Sequence, residues 1–389
     1  MHEQSIIFSL FLIFIGAALM ATLALLARQA LIIAYIVLGV LLGPAVLAWV
    51  NDTTLIQDIA NIGIIFLLFL LGMNLTPQKL FDLFRQTALV TALSATVFAL
   101  VGFGIAIAFG FSLADASIAG VACMFSSTII ALKLLPTTVL HHRHTGEVII
   151  SVLLLQDLIA IVVMLVLQGL DQESGSIQPL LWLIVKFPVL IIVAVVVERY
   201  LLMALFKRYD RIQEYIFLVT LAWCLGIAQL AHSLGFSYEI GAFIAGVVIA
   251  SNPIATFIAE SLKPLRDFFL VLFFFALGAG INVAVIPTIL FPALVLGGTM
   301  IVLKPVVFRY ALKSVAENDR LAWETGWRLG QMSEFSLLLI FVALSASVVS
   351  EQMAYMIQLA TIITFIGSSY CVVLRYPTPV AVSQRLRRD

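Results

Sequence analysis

The chain has 389 residues, 63% of them hydrophobic and 11% charged, with a mean hydropathy of +1.16 and a formal net charge of zero. A soluble globule of this length could not bury so much apolar surface, so the composition excludes a soluble enzyme or binding module and defines an all-α polytopic membrane protein. Cys123, Cys224 and Cys371 lie singly in apolar runs, without the spacing of a disulfide set or a metal site.

At about 20 apolar residues per crossing, with breaks at charged, Pro and Gly clusters, the chain divides into thirteen spans: 5–27, 29–49, 58–75, 86–109, 115–136, 146–168, 179–205, 213–233, 237–251, 265–282, 287–313, 324–349 and 353–375. The first has no basic region before it and is too long for a signal peptide, so it reads as a retained transmembrane helix. Nineteen of the 21 Lys and Arg residues fall in the loops after odd-numbered spans or at the span ends that border those loops, and the other two, Lys186 and Lys304, fall deeper inside spans. Loops after even-numbered spans carry Asp52, Asp115, Asp171, Glu173 and Glu351 instead. Because basic loops stay in the cytoplasm, the N-terminus is expected outside and the C-terminus inside a cell inner or plasma membrane.

An internal repeat emerges at one offset. Gly39 in YIVLGVLLG matches Gly246 in IGAFIAGVVIA, Gly72 in FLLFLLGMNL matches Gly278 in LFFFALGAGI, and Ser126 matches Ser333, each pair 206 or 207 residues apart. That offset equals seven spans, an odd number, so the halves face opposite ways across the membrane. Residues 1–168 form the first inverted repeat, span 179–205 the linker, 213–375 the second repeat, and 376–389 a cytoplasmic tail.

Span 6, SVLLLQDLIAIVVMLVLQ, carries Gln156 and Asp157 at its centre. A carboxylate at mid-bilayer costs roughly 2.5 to 3.5 kcal/mol on insertion scales, so it marks a working site or an ion pair made for assembly. Inverted-repeat carriers place their site where helices are interrupted at the midplane. The matched interruptions are Ser126, Ser127 and Thr128 in span 5 and Gly330, Gln331, Ser333 and Glu334 in span 12, whose polar groups can satisfy backbone freed by unwinding; close helix packing is the alternative for such hydroxyls. Lys304 in span 11 is expected to pair with Asp157, each charge relieving the other, with snorkelling to the membrane edge as the alternative. His141, His142 and His144 form a basic-loop cluster for solvent, metal or pH sensing. Glu239 suits the positive end of a helix. No GxGxxG, Walker A motif or soluble catalytic domain is present, so neither an enzyme nor a nucleic-acid partner is expected, and no cofactor beyond the transported ions.

LLLQDLIAI, FSSTIIALKLL, GAFIAGVVIASN, FFALGAGIN, GQMSEFSLL and Lys304 together resemble the membrane domain of Kef-type potassium:proton antiporters of the monovalent cation:proton antiporter-2 group. The resemblance runs along nearly the whole chain. It implies the sodium:proton antiporter fold, with spans 5 and 12 crossing as broken helices, a homodimer scaffold of spans 1–3 and 8–10, and a moving core of spans 4–6 and 11–13. It also implies potassium selectivity through the Gln156–Asp157 pair. On that basis the expected activity is secondary-active potassium:proton antiport, with a sodium:proton antiporter or a gated cation channel as alternatives. Asp157, Gln156, Ser126, Ser127 and Thr128 are the expected cation and proton ligands, Lys304 the ion-pair partner, and Ser333 and Glu334 the support of the crossover. Kef systems continue into a nucleotide-binding regulatory domain, while this sequence ends at RLRRD. A cytoplasmic regulatory domain or subunit is therefore an expected partner, and ligand gating does not carry over with the resemblance.

Overall fold

The structure, a computed structural model, describes residues 6–27, 29, 31–50, 53–73, 77–135, 144–170, 178–209 and 212–378. In chain order its helices are α1 Ile6–Leu26, α2 Leu31–Leu42, α3 Thr53–Met73, α4 Pro77–Ala108, α5 Leu113–Cys123, α6 Thr128–Lys133, α7 His144–Leu170, α8 Gln178–Val197, α9 Met203–Arg208, α10 Gln213–Ser233, α11 Tyr238–Ala250, α12 Ile254–Ala279, α13 Ile286–Ser314, α14 Asp319–Arg328, α15 Glu334–Ser345 and α16 Glu351–Arg375. A π-helical turn, Glu198–Leu202, joins α8 to α9. Among the described residues eight helices are long and apolar enough to cross a membrane, and four further apolar helices of 10–17 residues accompany them.

Local chemistry sets the helix ends. Ser112, Ser237, Asn318, Ser333 and Ser350 each occupy an N-cap and accept a backbone N–H from the first turn. Some boundaries differ from the apolar runs, for physical reasons. Helix α2 stops at Leu42 rather than running to 49, because Gly43-Pro44 follows and the chain turns through Ala48 at φ 51°. Helices α4 and α12 begin well before their apolar runs, at Pro77 and Ile254, because amphipathic stretches continue the same helix.

Packing divides the chain into two compact units: Met1–Ala48, Leu83–Met164 and Gly278–Asp389 in one, Trp49–Asp82 and Leu165–Leu277 in the other. In the second unit α11 packs against α3, α10 and α8. A Cβ at Gly72 on α3 would collide with the Phe243 carbonyl oxygen on α11, so only glycine permits that backbone approach. In the first unit a Cβ at Gly278 would collide with the Ile36 carbonyl oxygen on α2. Ile36 and Phe243 are 207 residues apart and Gly72 and Gly278 are 206 apart, so these are one contact repeated at nearly the same offset. Elsewhere in the first unit α13 packs against α14 and α16, and α16 also meets α5, α14 and α15.

Candidate functional site

Two helices of the first unit are interrupted. Residues 124–127 separate α5 from α6, and residues 329–333 separate α14 from α15, positions again related by about 207 residues. The interruptions touch: the Ser126 hydroxyl donates to the Leu329 carbonyl at 2.9 Å, and Gln331 Nε2 donates to the Ser127 carbonyl at 3.3 Å. Two broken helices crossing in this way bring four helix ends together, with two negative C-terminal ends and two positive N-terminal ends to compensate.

Lys304 serves the negative ends. Fully buried on α13, its ammonium donates to the Phe125 carbonyl, to Ser126 Oγ at 3.3 Å and to the Gln331 carbonyl at 3.1 Å, and lies 5.1 Å from the Phe98 ring centroid. Three donors meet three acceptors, the full complement of a protonated amine. The expected Asp157–Lys304 ion pair is corrected by this geometry: no contact joins the two among the described residues, because the carbonyls freed by both interruptions hold the ammonium. Glu334 serves the positive ends. It occupies the first turn of α15, and its Oε1 accepts the Ile129 N–H of α6 at 3.3 Å. Ser333, the N-cap of α15, forms a capping box with Ser336.

Asp157, 1% exposed on α7, faces the start of α6. Its hydrogen bonds come from the Thr128 hydroxyl, at 3.3 and 3.4 Å. Gln156 beside it points its amide at the unwound chain: Oε1 accepts the Ser126 N–H at 2.9 Å and Nε2 donates to the Met124 carbonyl at 3.2 Å. Ser127 caps α6, its Oγ accepting the Ile130 N–H at 3.1 Å. The eight residues expected as ligands, ion-pair partner or crossover support thus gather at one crossing, although Gln156, Ser126 and Ser127 spend most of their polar capacity on the backbone.

Several contributors escaped the sequence. Gln331 Oε1 accepts from Ser368 at 2.8 Å, and Thr364 Oγ1 accepts the Met332 N–H at 2.9 Å, so α16 props up the second interruption. The spacing of Thr361, Thr364 and Ser368 on one helical face was the available signal. Arg328, which the charge pattern places among the basic loops, is instead 1% exposed, bound to Glu324 and to the carbonyls of Leu134 and Pro377. His144 bonds Glu147 and Glu317 at 3.3 and 2.8 Å at the exposed start of α7; His141 and His142 lie outside the described residues. No metal-binding cluster occurs among the described residues. Glu239 stands in the first turn of α11.

Crossed, interrupted helices around a buried carboxylate, in a chain of membrane-length helices, define the class as an ion-coupled membrane antiporter fold. The family model described as sodium/hydrogen exchanger, transmembrane, matches residues 10–375, and the chain belongs to that family of monovalent cation:proton antiporters. K(+) efflux antiporter 6 of Arabidopsis thaliana is 28% identical over 346 residues, covering 86% of this chain. The match spans 57% of that relative's length. The sodium proton antiporter MjNhaP1 from Methanocaldococcus jannaschii, solved at pH 8, superimposes with a TM-score of 0.73 over 94% of this chain and 95% of its own, at 16% identity. The last likeness establishes the fold.

Proposed function

We propose that the protein is a secondary-active potassium:proton antiporter in which Asp157 binds either a cation or a proton and is exposed alternately to the two sides of the membrane. The observation that carries this is the environment of Asp157: a carboxylate 1% exposed, held by one hydroxyl at 3.3–3.4 Å, with no ammonium or guanidinium bonded to it among the described residues. A buried carboxylate without a fixed counter-charge must take up a proton or a metal ion. A group obliged to accept either of two mobile partners is an exchange site. Lys304 and Glu334 keep the interrupted helices paired while either ligand is bound.

Potassium is favoured by the Gln156–Asp157 pair of α7, on which the resemblance to Kef-type potassium:proton antiporters rests. The Arabidopsis relative is named for potassium, and MjNhaP1 is described as a sodium proton antiporter. The orientation supported by the one-sided basic loops places the N-terminus outside and the C-terminus in the cytoplasm. A homodimer through spans 1–3 and 8–10, with a cytoplasmic regulatory domain or subunit as further partner, completes the proposal.

Proteoliposomes loaded with a pH dye test it. Addition of potassium should drive faster proton movement than sodium at matched concentration, and Asp157→Asn should abolish the response while eluting and melting like wild type. Exchange in the well-folded Asp157→Asn protein would remove the central assignment, and sodium flux equal to potassium flux would remove the selectivity. Cation current without coupled proton movement would indicate a channel.

A further inference from the structure

Glu334 has one carboxyl oxygen engaged and one not. Oε1 accepts the Ile129 N–H, while Oε2 is enclosed and has no hydrogen-bond partner among the described residues. The residue is 5% exposed, so water does not freely meet that oxygen's needs. An unpartnered buried acceptor is costly, and one retained at a functional centre calls for an ion or a donor that visits it. The crossover role explains Oε1 and leaves Oε2 without a task.

The same turn of α6 touches both buried carboxyls. Thr128 donates its hydroxyl to Asp157, and the next residue, Ile129, donates its N–H to Glu334. Contacts to adjacent residues of one turn bring both carboxyls to the same end of α6. Like charges brought together in a dehydrated site repel, and a cation held by both removes that repulsion. With both carboxyls ionised, Asp157 and Glu334 stand against the single ammonium of Lys304, which leaves one negative charge in excess. A monovalent ion neutralises it.

We propose that Glu334 is a direct ligand of the transported monovalent cation, its free Oε2 facing the ion opposite Asp157. This rests on the exchange role of Asp157 and adds to it: the cation site has two carboxylates, one from α7 and one from the first turn of α15, with the Thr128 hydroxyl beside them.

Two substitutions and one measurement on the unaltered protein test the proposal. Glu334→Gln keeps an oxygen for the Ile129 N–H but loses the charge; Glu334→Asp keeps the charge but withdraws it by one methylene. If Oε2 binds the cation, both should raise the KM for potassium roughly tenfold or more, the size expected for one lost charge-assisted contact. Both should also lose the potassium-dependent rise in melting temperature, measured in detergent against choline. A KM within about twofold of wild type in Glu334→Gln, where a neutral amide contact is all that remains, would restrict Glu334 to supporting the crossover. Recovery of the wild-type KM by Glu334→Asp alone would mean that its charge acts through space. Should either variant fail to fold, the anomalous signal of thallium(I) bound to the wild-type protein decides: a site touching Glu334 Oε2 supports the assignment, and one on Asp157 remote from it overturns it. If Asp157→Asn abolishes exchange while Glu334→Gln keeps the wild-type KM, the antiport reading stands and only this inference falls.

Discussion

At Gln156 a single side chain closes two gaps in a backbone that has left its helix. Its amide supplies an acceptor to the Ser126 N–H and a donor to the Met124 carbonyl, and both contacts are buried. Alanine there would leave both backbone groups unpaired, at about 1–3 kcal/mol each. Gln156→Ala should therefore lower the melting temperature clearly and impair transport through the shape of the site. Glutamate would keep the acceptor but lose the donor. Unchanged stability of Gln156→Ala in a thermal melt would show that water replaces the amide. The sequence placed Gln156 and Asp157 at the centre of the site because polar groups at mid-membrane are conspicuous against apolar neighbours. It could not show where each polar group points. Lys304 is the clearest case: charge arithmetic favoured Asp157 as its partner, whereas the carbonyl ends of two half-helices, invisible in composition, compete for the same ammonium and hold it.

At the scale of elements, the interruptions were readable because each repeat carries a polar cluster at the same register, Ser126 in one and Ser333 in the other. The short half-helix α14 was harder to read, since its charged, amphipathic sequence resembles a loop. Structure fixes it through its cap and an ion pair. Asn318 caps it, and Asp319 in its first turn accepts from Arg309 Nε of α13 at 2.9 Å, with Lys313 at 3.4 Å. The hydrogen bond from Arg309, then the charges of Arg309 and Lys313, hold the Asp319 carboxyl below its usual value of 3.8. A lowered folded-state pKa stabilises above the unfolded value and loses that contribution as the pH falls through the folded one. Wild type should therefore melt slightly higher than Asp319→Asn at pH 6, with the gap closing as the pH drops below 3.8. Because Asp319 is exposed, the gap should also shrink in high salt. Melting curves in detergent across pH 3–6, a range set by ordinary carboxylate titration, check this; a gap that persists at the acid end would assign the stabilisation to something other than ionic pairing.

For the whole molecule, the inverted repeat is legible in sequence as three matches at one offset and returns in three dimensions as the paired approaches of Gly72 to Phe243 and Gly278 to Ile36. The repeat also joins opposite charges to opposite helix ends: Lys304 at the C-terminal ends and Glu334 at the N-terminal ends of the crossing. With Asp157 and Glu334 both ionised and Lys304 held as an ammonium by its three acceptors, the buried crossing carries one net negative charge. One monovalent cation would bring the crossing to neutrality, and so would one proton. Both loaded forms therefore cross the low-dielectric region with the same charge, whereas the empty, charged form pays a desolvation cost that disfavours its crossing alone. If Asp157 is the exchange site proposed above, one-for-one exchange that moves no net charge is the expected outcome. On a solid-supported membrane, a potassium jump should produce proton flux in the pH dye and no sustained current, and an imposed membrane potential should leave the rate unaltered. A steady current of one charge per cycle would require a second proton, and Glu334 would be its first candidate carrier, because its Oε2 is the one crossing oxygen with an open valence for it among the described residues.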